Sequence, residues 1–374
     1  MPTDPNLQGL ADSESFAVLH ICSGDLWAGA EVMLFNLVLE QRKQGIVPAV
    51  VVFNQGILHD KLIAETIKVF TIGEQNHSSF SIINEIRHLI KTYRPAVVHT
   101  HGFKENILGS LAGMGTGTAS IRTEHGLIEV ETLKSKLLHA LDVITGFFMQ
   151  DHTVFVSETT RQGSSRLLKH RCTVIFNGIE IQPLSENLAK RSTHIGIVAR
   201  LVPVKRHDIF LDAARSLLRE TSPDTHVCFH VIGGGPLEES IRDACADESQ
   251  IKIHGHVNSM MSIWEMLDLL VITSDHEGIP MTLLEAFNLG IPTLVRNFGE
   301  IAEILGQHQA SIVVDSALPE HFADAIRIHL NTPADAKKNQ IRNAHKFLTD
   351  NFSIEHTTEQ YLNVYLGLKQ ANKR

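Results

Sequence analysis

The residues best suited to chemistry lie at the ends of short apolar runs. The run LLVITS is followed by DHEGIPMTLLEAF, which holds Glu277 and Glu285 with seven residues between them. Pro280 suits the first turn of a helix, where its missing N–H would be unpaired anyway. Glu277 is then expected just ahead of that helix and Glu285 nearly two turns inside it. The free N–H groups of Gly278 and Ile279, with the positive end of the helix dipole, would make a phosphate site. A second run, HIGIVAR, ends in Arg200, and Lys205 follows five residues later in RLVPVKRHDIF, with a helix expected from about His207. Two cations at one strand tip repel one another unless an anion or a carboxylate lies between them. A third run, HVIGGGP (230–236), ends in three glycines beginning at Gly233, which allow a tight turn or a close backbone approach. It lacks the spacing and the acidic residue of a dinucleotide fingerprint.

Histidines mark the first half of the chain. AVVHTHG places His99 and His101 two residues apart, on one face of a strand, and ASIRTEHG delivers His125 at the next strand end. Three histidines can ligate zinc, but neither a carboxylate nor a helical His pair accompanies them, so no metal is expected. A single base or hydrogen-bond donor is the better reading. Near the start, SGDLWAGAEVMLFNL places Gly29 where a backbone can approach a ligand and Glu31 at a helix opening, with Trp27 expected exposed in the loop.

The elements that must carry these residues alternate. From Ala17, short β-branched runs exchange with segments of helical period, which predicts βαβ units and parallel sheets covered on both faces. The polar stretch 181–193 reads as a linker, after which a second series starts at HIGIVAR. The α/β chain is therefore expected to form two Rossmann-like domains facing across a cleft, with ligands at the carboxyl ends of the strands. The expected boundaries are a disordered lead-in 1–16, a first domain 17–182, a second domain 183–350 and a closing helix 351–374. After Pro319 three helical segments close the chain.

Composition excludes other classes. The 374 residues are 43% hydrophobic and 20% charged, which rules out general disorder. The net charge of −9 argues against a nucleic-acid binder with one basic face. Four widely spaced cysteines fit neither a disulfide scaffold nor a zinc ribbon, and the polar, acidic start lacks the pattern of a signal peptide, so a cytoplasmic setting is expected. Residues 134–148, KSKLLHALDVITGFF, read either as a buried helix or as an amphipathic helix touching the inner face of a membrane.

Taken together, WAGAE, VVHTHG, RTEHG, FNGIE, ARLVPVK, VIGGGP and EGIPMTLLEAF resemble the retaining family-4 glycosyltransferases of the GT-B fold, in the family's own order and from about Ala17 to Leu366. The resemblance implies that Arg200 and Lys205 hold the donor's diphosphate, that Glu285 binds ribose hydroxyls and that Glu277 contacts the transferred sugar. His125 matches a histidine at the sugar's reacting face, and IHGHV (253–257), with His256, matches the strand whose backbone reads the nucleobase. His125, Arg200, Lys205 and Glu277 thus form the implied catalytic set; Gly29, Gly233, His256, Gly278, Ile279, Pro280 and Glu285 form the donor-binding set. The resemblance makes 17–182 the acceptor-side domain and 183–350 the nucleotide-sugar-binding domain, with the helix 351–374 crossing back to pack on the first. Ala28 and Arg206 stand where family members often carry glycine, and Arg206 is expected to be a surface residue. The implied activity moves a sugar from a UDP- or GDP-linked donor, a substrate rather than a cofactor, to a saccharide or lipid-linked hydroxyl acceptor, without a metal. An epimerase or hydrolase acting on a nucleotide sugar, or a catalytically silent nucleotide-sugar-binding protein, would use the same residues. The implied role is polysaccharide or glycoconjugate synthesis, with weak peripheral membrane contact.

Overall fold

The structure, a computed structural model, describes residues 16–371 apart from 26, 76, 127–131, 185–192, 221–226, 258 and 299. The expected lead-in, up to residue 15, and most of the expected linker lie outside the described residues.

The described chain divides into two compact units: one runs up to Glu180 and resumes at Ser353, the other is Ile181–Phe352. The first unit carries seven strands, β1 (Ala17–Cys22), β2 (Val47–Val52), β3 (Lys68–Thr71), β4 (Val97–Thr100), β5 (Ala119–Glu124), β6 (His152–Phe155) and β7 (Cys172–Val174). They form one parallel sheet in the order β3-β2-β1-β4-β5-β6-β7. The second unit carries β8 (Thr193–Val198), β9 (Val227–Ile232), β10 (Ile251–Gly255), β11 (Leu269–Ile272), β12 (Thr293–Arg296) and β13 (Ile312–Val314). These are also parallel, ordered β10-β9-β8-β11-β12-β13. Strand order reverses between β1 and β4 and again between β8 and β11. In an open sheet those reversals open a crevice at the carboxyl ends of the strands.

The strands read as near-continuous apolar runs because helices cover both faces. In the second unit, Ile195 and Ile197 of β8, Phe229 and Val231 of β9 and Leu269 and Val271 of β11 share a core with Phe210 and Leu217 of the helix His207–Glu220. In the first unit, one core joins Val18, Met33, Leu37 and Val97 to Ile354, Tyr361, Leu362 and Tyr365 of the last helix, Ile354–Ala371. That helix therefore belongs to the first unit, although the second lies before it in the chain. Its start is seated by a parallel bridge between Ile179 and Ser353 and by the Ile354 N–H, which donates to the Ile179 carbonyl at 2.9 Å. Gly178 of FNGIE is required here: a Cβ would overlap Thr357 Oγ1 and stand 2.7 Å from the Ser353 carbonyl.

Candidate functional site

Each unit presents polar side chains at its strand-order reversal. In the second unit, β8 ends at Val198 and Arg200 follows, exposed, its guanidinium making no hydrogen bond or ion pair with any described residue. Lys205 closes a single 3-10 turn, Pro203–Lys205, and its ammonium pairs with Glu277, which follows β11. The Ser274 hydroxyl donates to the same carboxylate oxygen at 2.7 Å. Backbone contacts fix this meeting. The Asp275 N–H donates to the Val204 carbonyl at 2.9 Å, and the Thr273 hydroxyl reaches the carbonyls of Lys205 and Arg206, each 2.9 Å away. The carboxylate that two clustered cations require is thus Glu277, and it engages Lys205 while leaving Arg200 unpaired.

Arg206 has φ +51°, a left-handed conformation that glycine adopts without cost. Here its guanidinium is held by Asp208 at 2.8 Å and Asp275 at 3.1 Å. It is therefore a clamp on the loop rather than a surface residue. Ala28, by contrast, has an extended backbone that any residue can adopt, and its N–H donates to Glu31 Oε2 at 3.3 Å.

Gly233 follows β9 with φ +134°, and a Cβ there would overlap the Ala199 carbonyl oxygen. The absent side chain lets the loop lie on the Ala199–Leu201 backbone, where the Leu201 N–H donates to the Gly234 carbonyl at 2.9 Å. The glycine run thereby supports the backbone of Arg200. His256, exposed just after β10, stands beside Gly234.

The helix after Glu277 runs Met281–Asn288, with Pro280 at its N-cap in an extended conformation. Two expectations shift by one residue. Pro280 precedes the helix instead of opening it, and Glu285 is its fifth residue, little more than one turn in. Proline at the cap still fits, because its N–H is not needed there. The N–H groups of Gly278 and Ile279 have no backbone or side-chain acceptor among the described residues. Burial pushes the Glu285 carboxyl up to about 7, partly countered by a hydrogen bond from the Trp264 indole.

In the first unit, His20 of β1 and His99 of β4 are register partners, and His101 follows β4. A close grouping forms not among His99, His101 and His125 but among His20, His99 and His101, whose ring nitrogens lie within 4.8 Å of one another. Every ring nitrogen of those three is already engaged. His20 contacts His101 and Gln41, each at 2.9 Å; His99 contacts Tyr365 and Thr123, each at 2.7 Å. His101 Nδ1 is 3.3 Å from His125 Nε2. Burial lowers the pKa of all four, to about 4 for His20 and His125, so they are neutral near pH 7. His125 Nδ1 is buried without a partner among the described residues.

Gly29 is the first residue of the helix Gly29–Lys43, as the loop spacing requires. Trp27 is not displayed for a ligand: it packs edge-on against Phe35 at 5.9 Å, with the Lys61 ammonium 5.1 Å from its ring. A buried charge cluster was not foreseen. Arg122 of β5 pairs with Glu124 and with Asp142 of the helix Leu133–Met149. The three residues share β5 and its neighbouring helix, but nothing in their spacing announces a pair across twenty residues.

The two parallel sheets, the Lys205–Glu277 pair ahead of the helix Met281–Asn288 and the histidine cluster are the features with which the comparisons agree. Residues 27–183 match the family described as Glycosyltransferase Family 4, and residues 192–332 match that described as Glycosyl transferases group 1. The chain belongs to the family-4 type of glycosyltransferases and has the GT-B fold. It is 23% identical over 371 residues to the capsular polysaccharide biosynthesis glycosyltransferase CapH of Staphylococcus aureus, covering 94% of this chain and 98% of that one. It is 24% identical over 249 residues to the Escherichia coli UDP-Gal:alpha-D-GlcNAc-diphosphoundecaprenol alpha-1,3-galactosyltransferase, covering 59% of this chain and 64% of that enzyme. The crystal structure of Anabaena HepE in complex with UDP-glucose superposes with a TM-score of 0.77 at 16% identity, covering 94% of this chain and 99% of HepE.

Proposed function

We propose that this glycosyltransferase moves a sugar from a nucleoside-diphosphate donor to a hydroxyl of a saccharide or lipid-linked acceptor, with retention at the anomeric carbon and without a metal. The observation that carries this is the group at the β8 and β11 ends: unpaired Arg200, Lys205 in contact with Glu277, and the free N–H groups of Gly278 and Ile279. As the glycosidic bond breaks, negative charge grows on the departing diphosphate. Cations and N–H groups aimed at that charge act mainly in the transition state. When the diphosphate draws Lys205 toward it, Glu277 keeps Ser274 as a donor and is released to meet the sugar. Of the two expected donor types, the uridine one is supported by HepE, which was crystallised with UDP-glucose.

Membrane contact at the acceptor side is supported by the helix Leu133–Met149. Leu133, Leu137, Leu141, Ile144 and Phe148 recur every three or four residues, and all are exposed; Leu137 is 72% and Phe148 74% exposed. The buried alternative holds only for the opposite side, where Asp142, Val143 and Thr145 are covered. An apolar stripe of this kind lies in a lipid interface. Among the described residues, no helix is long and apolar enough to cross a membrane. The Escherichia coli relative, named for a diphosphoundecaprenol-linked acceptor, favours the same reading.

The test is incubation with radiolabelled nucleotide sugars and candidate acceptors, with and without chelator. A glycoside of retained configuration at equal rate in both supports the proposal. An epimer, free sugar alone, or full loss with chelator refutes it. Flotation on anionic vesicles, lost in Leu137→Glu/Phe148→Glu, tests the membrane part; equal flotation of that variant would remove it.

A further inference from the structure

A chain of hydrogen bonds in the first unit takes its direction from the orientation of the Gln41 amide, and it ends at His125. Gln41, on the helix Gly29–Lys43, is held at both ends of its amide. Its Nε2 donates to the Tyr365 hydroxyl at 3.3 Å, and its Oε1 lies 2.9 Å from His20 Nε2. An amide oxygen only accepts, so His20 must carry its proton on Nε2. A neutral imidazole has one N–H, which leaves His20 Nδ1 as an acceptor. Its partner at 2.9 Å, His101 Nε2, must then be the donor, and His101 Nδ1 becomes an acceptor in turn. His125 Nε2, 3.3 Å away, supplies the proton for that contact. By the same count, His125 Nδ1 carries a bare lone pair. That atom is buried and unpartnered among the described residues.

The second arm agrees with the first. Having accepted from Gln41, the Tyr365 hydroxyl donates to His99 Nδ1 at 2.7 Å. His99 Nε2 donates to Thr123 Oγ1 at 2.7 Å, and the Thr123 hydroxyl reaches Tyr361 at 3.0 Å. Reversing the Gln41 amide would invert every proton in both arms. The low pKa values imposed by burial keep each ring in the one-proton form on which the count depends.

We infer that Gln41 is a positioning residue, which, through His20 and His101, fixes His125 as a hydrogen-bond acceptor and so selects a hydroxyl, not a carboxylate, on the sugar it meets. The inference rests on the proposed sugar contact for its substrate class, but the tautomer itself does not. Tyr365 of the last helix, 324 positions from Gln41 in sequence, accepts from the same amide and so helps to hold it in this orientation.

The experiment is ¹⁵N NMR of the ligand-free, histidine-labelled full chain, with His125 assigned by comparison with His125→Gln. The wild type should show Nδ1 of His125 in the unprotonated imidazole range and Nε2 protonated. Gln41→Met keeps the bulk and removes the acceptor, and should give a mixture of tautomers at His125. Tyr365→Phe, which frees the amide to turn, should do the same and serves if Gln41→Met fails to fold. In turnover, kcat should fall about tenfold, the loss expected for one neutral hydrogen bond, with KM for the donor little changed. A protonated Nδ1 in the wild type, or an unchanged tautomer in both variants, overturns the inference. If the tautomer shifts as expected but no nucleotide sugar is turned over by the wild type, the positioning role survives and the transferase substrate reading fails.

Discussion

Replacing Glu285 by Gln should raise the stability of the second unit while weakening donor binding. Glu285 is largely buried, and its carboxyl is pushed from the ordinary 4.5 to about 7. In the folded chain it keeps its proton between those values, whereas in the unfolded chain it has released it. Stability therefore falls as pH rises from about 4.5 to 7 and is level above that. At about 1.4 kcal/mol per pH unit, the whole rise corresponds to at most about 3 kcal/mol at pH 8. Gln is neutral throughout, and its Oε1 still accepts from the Trp264 indole. Urea unfolding read by Trp264 fluorescence, in a Trp27→Phe background that leaves one tryptophan, gives the quantity directly. The variant should match the parent at pH 4 and exceed it by up to about 3 kcal/mol at pH 8. Donor affinity should fall roughly 10- to 100-fold, the loss of one charged hydrogen bond. A variant whose stability follows pH in parallel with the parent, or lies below it at pH 8, refutes the argument that burial of this carboxyl is costly.

Arg200→Ala should lower kcat/KM by about 10²–10³ with no change in unfolding, since the exposed guanidinium makes no hydrogen bond or ion pair with any described residue; Lys205→Ala should cost as much activity and also destabilise, because Glu277 loses its cation. Wild-type turnover below donor saturation in either variant would refute the phosphate role. Gly233→Ala meets both a left-handed φ and the Ala199 carbonyl, and should destabilise the second unit by at least about 2 kcal/mol, measured by the same fluorescence. Truncation after Asp350 removes Ile354, Tyr361, Leu362 and Tyr365 from the first core, so hydrogen exchange should show protection lost across β1 and β4; protection lost only in the second unit would refute that placement.

Much of the fold was legible because periodicity is local. Buried parallel strands such as AVLHIC and LLVITS show as apolar runs, and the residues that follow such runs fall at the carboxyl ends of the strands. Arg200, Lys205 and Glu277, after β8 and β11, and Gly233, after β9, were singled out in this way. Helix starts were less exact: at Pro280 the ring fits both the cap and the first turn, and only the backbone dihedral separates them. His20 was hidden because it sits inside an apolar run, where a buried histidine looks like an interruption. Gln41 and Tyr365 carry no signal at all, since their meeting depends on tertiary packing across most of the chain. Trp27 misled for the complementary reason: loop position suggests display, but Phe35 and Lys61 cover it.

The first unit closes only when the last helix docks, and the whole of Ile181–Phe352 is translated in between. At roughly 5–20 residues per second, the ribosome delays that helix by about 10–40 s after Glu180 has been made. Through that interval the face of Val18, Met33, Leu37 and Val97 lacks its cover, and the second unit, contiguous in sequence, is free to fold first. The half made first is thus finished last. A chaperone that shields nascent apolar surface should engage this chain on β1 and the helix Gly29–Lys43, and let go when Tyr361 and Tyr365 arrive.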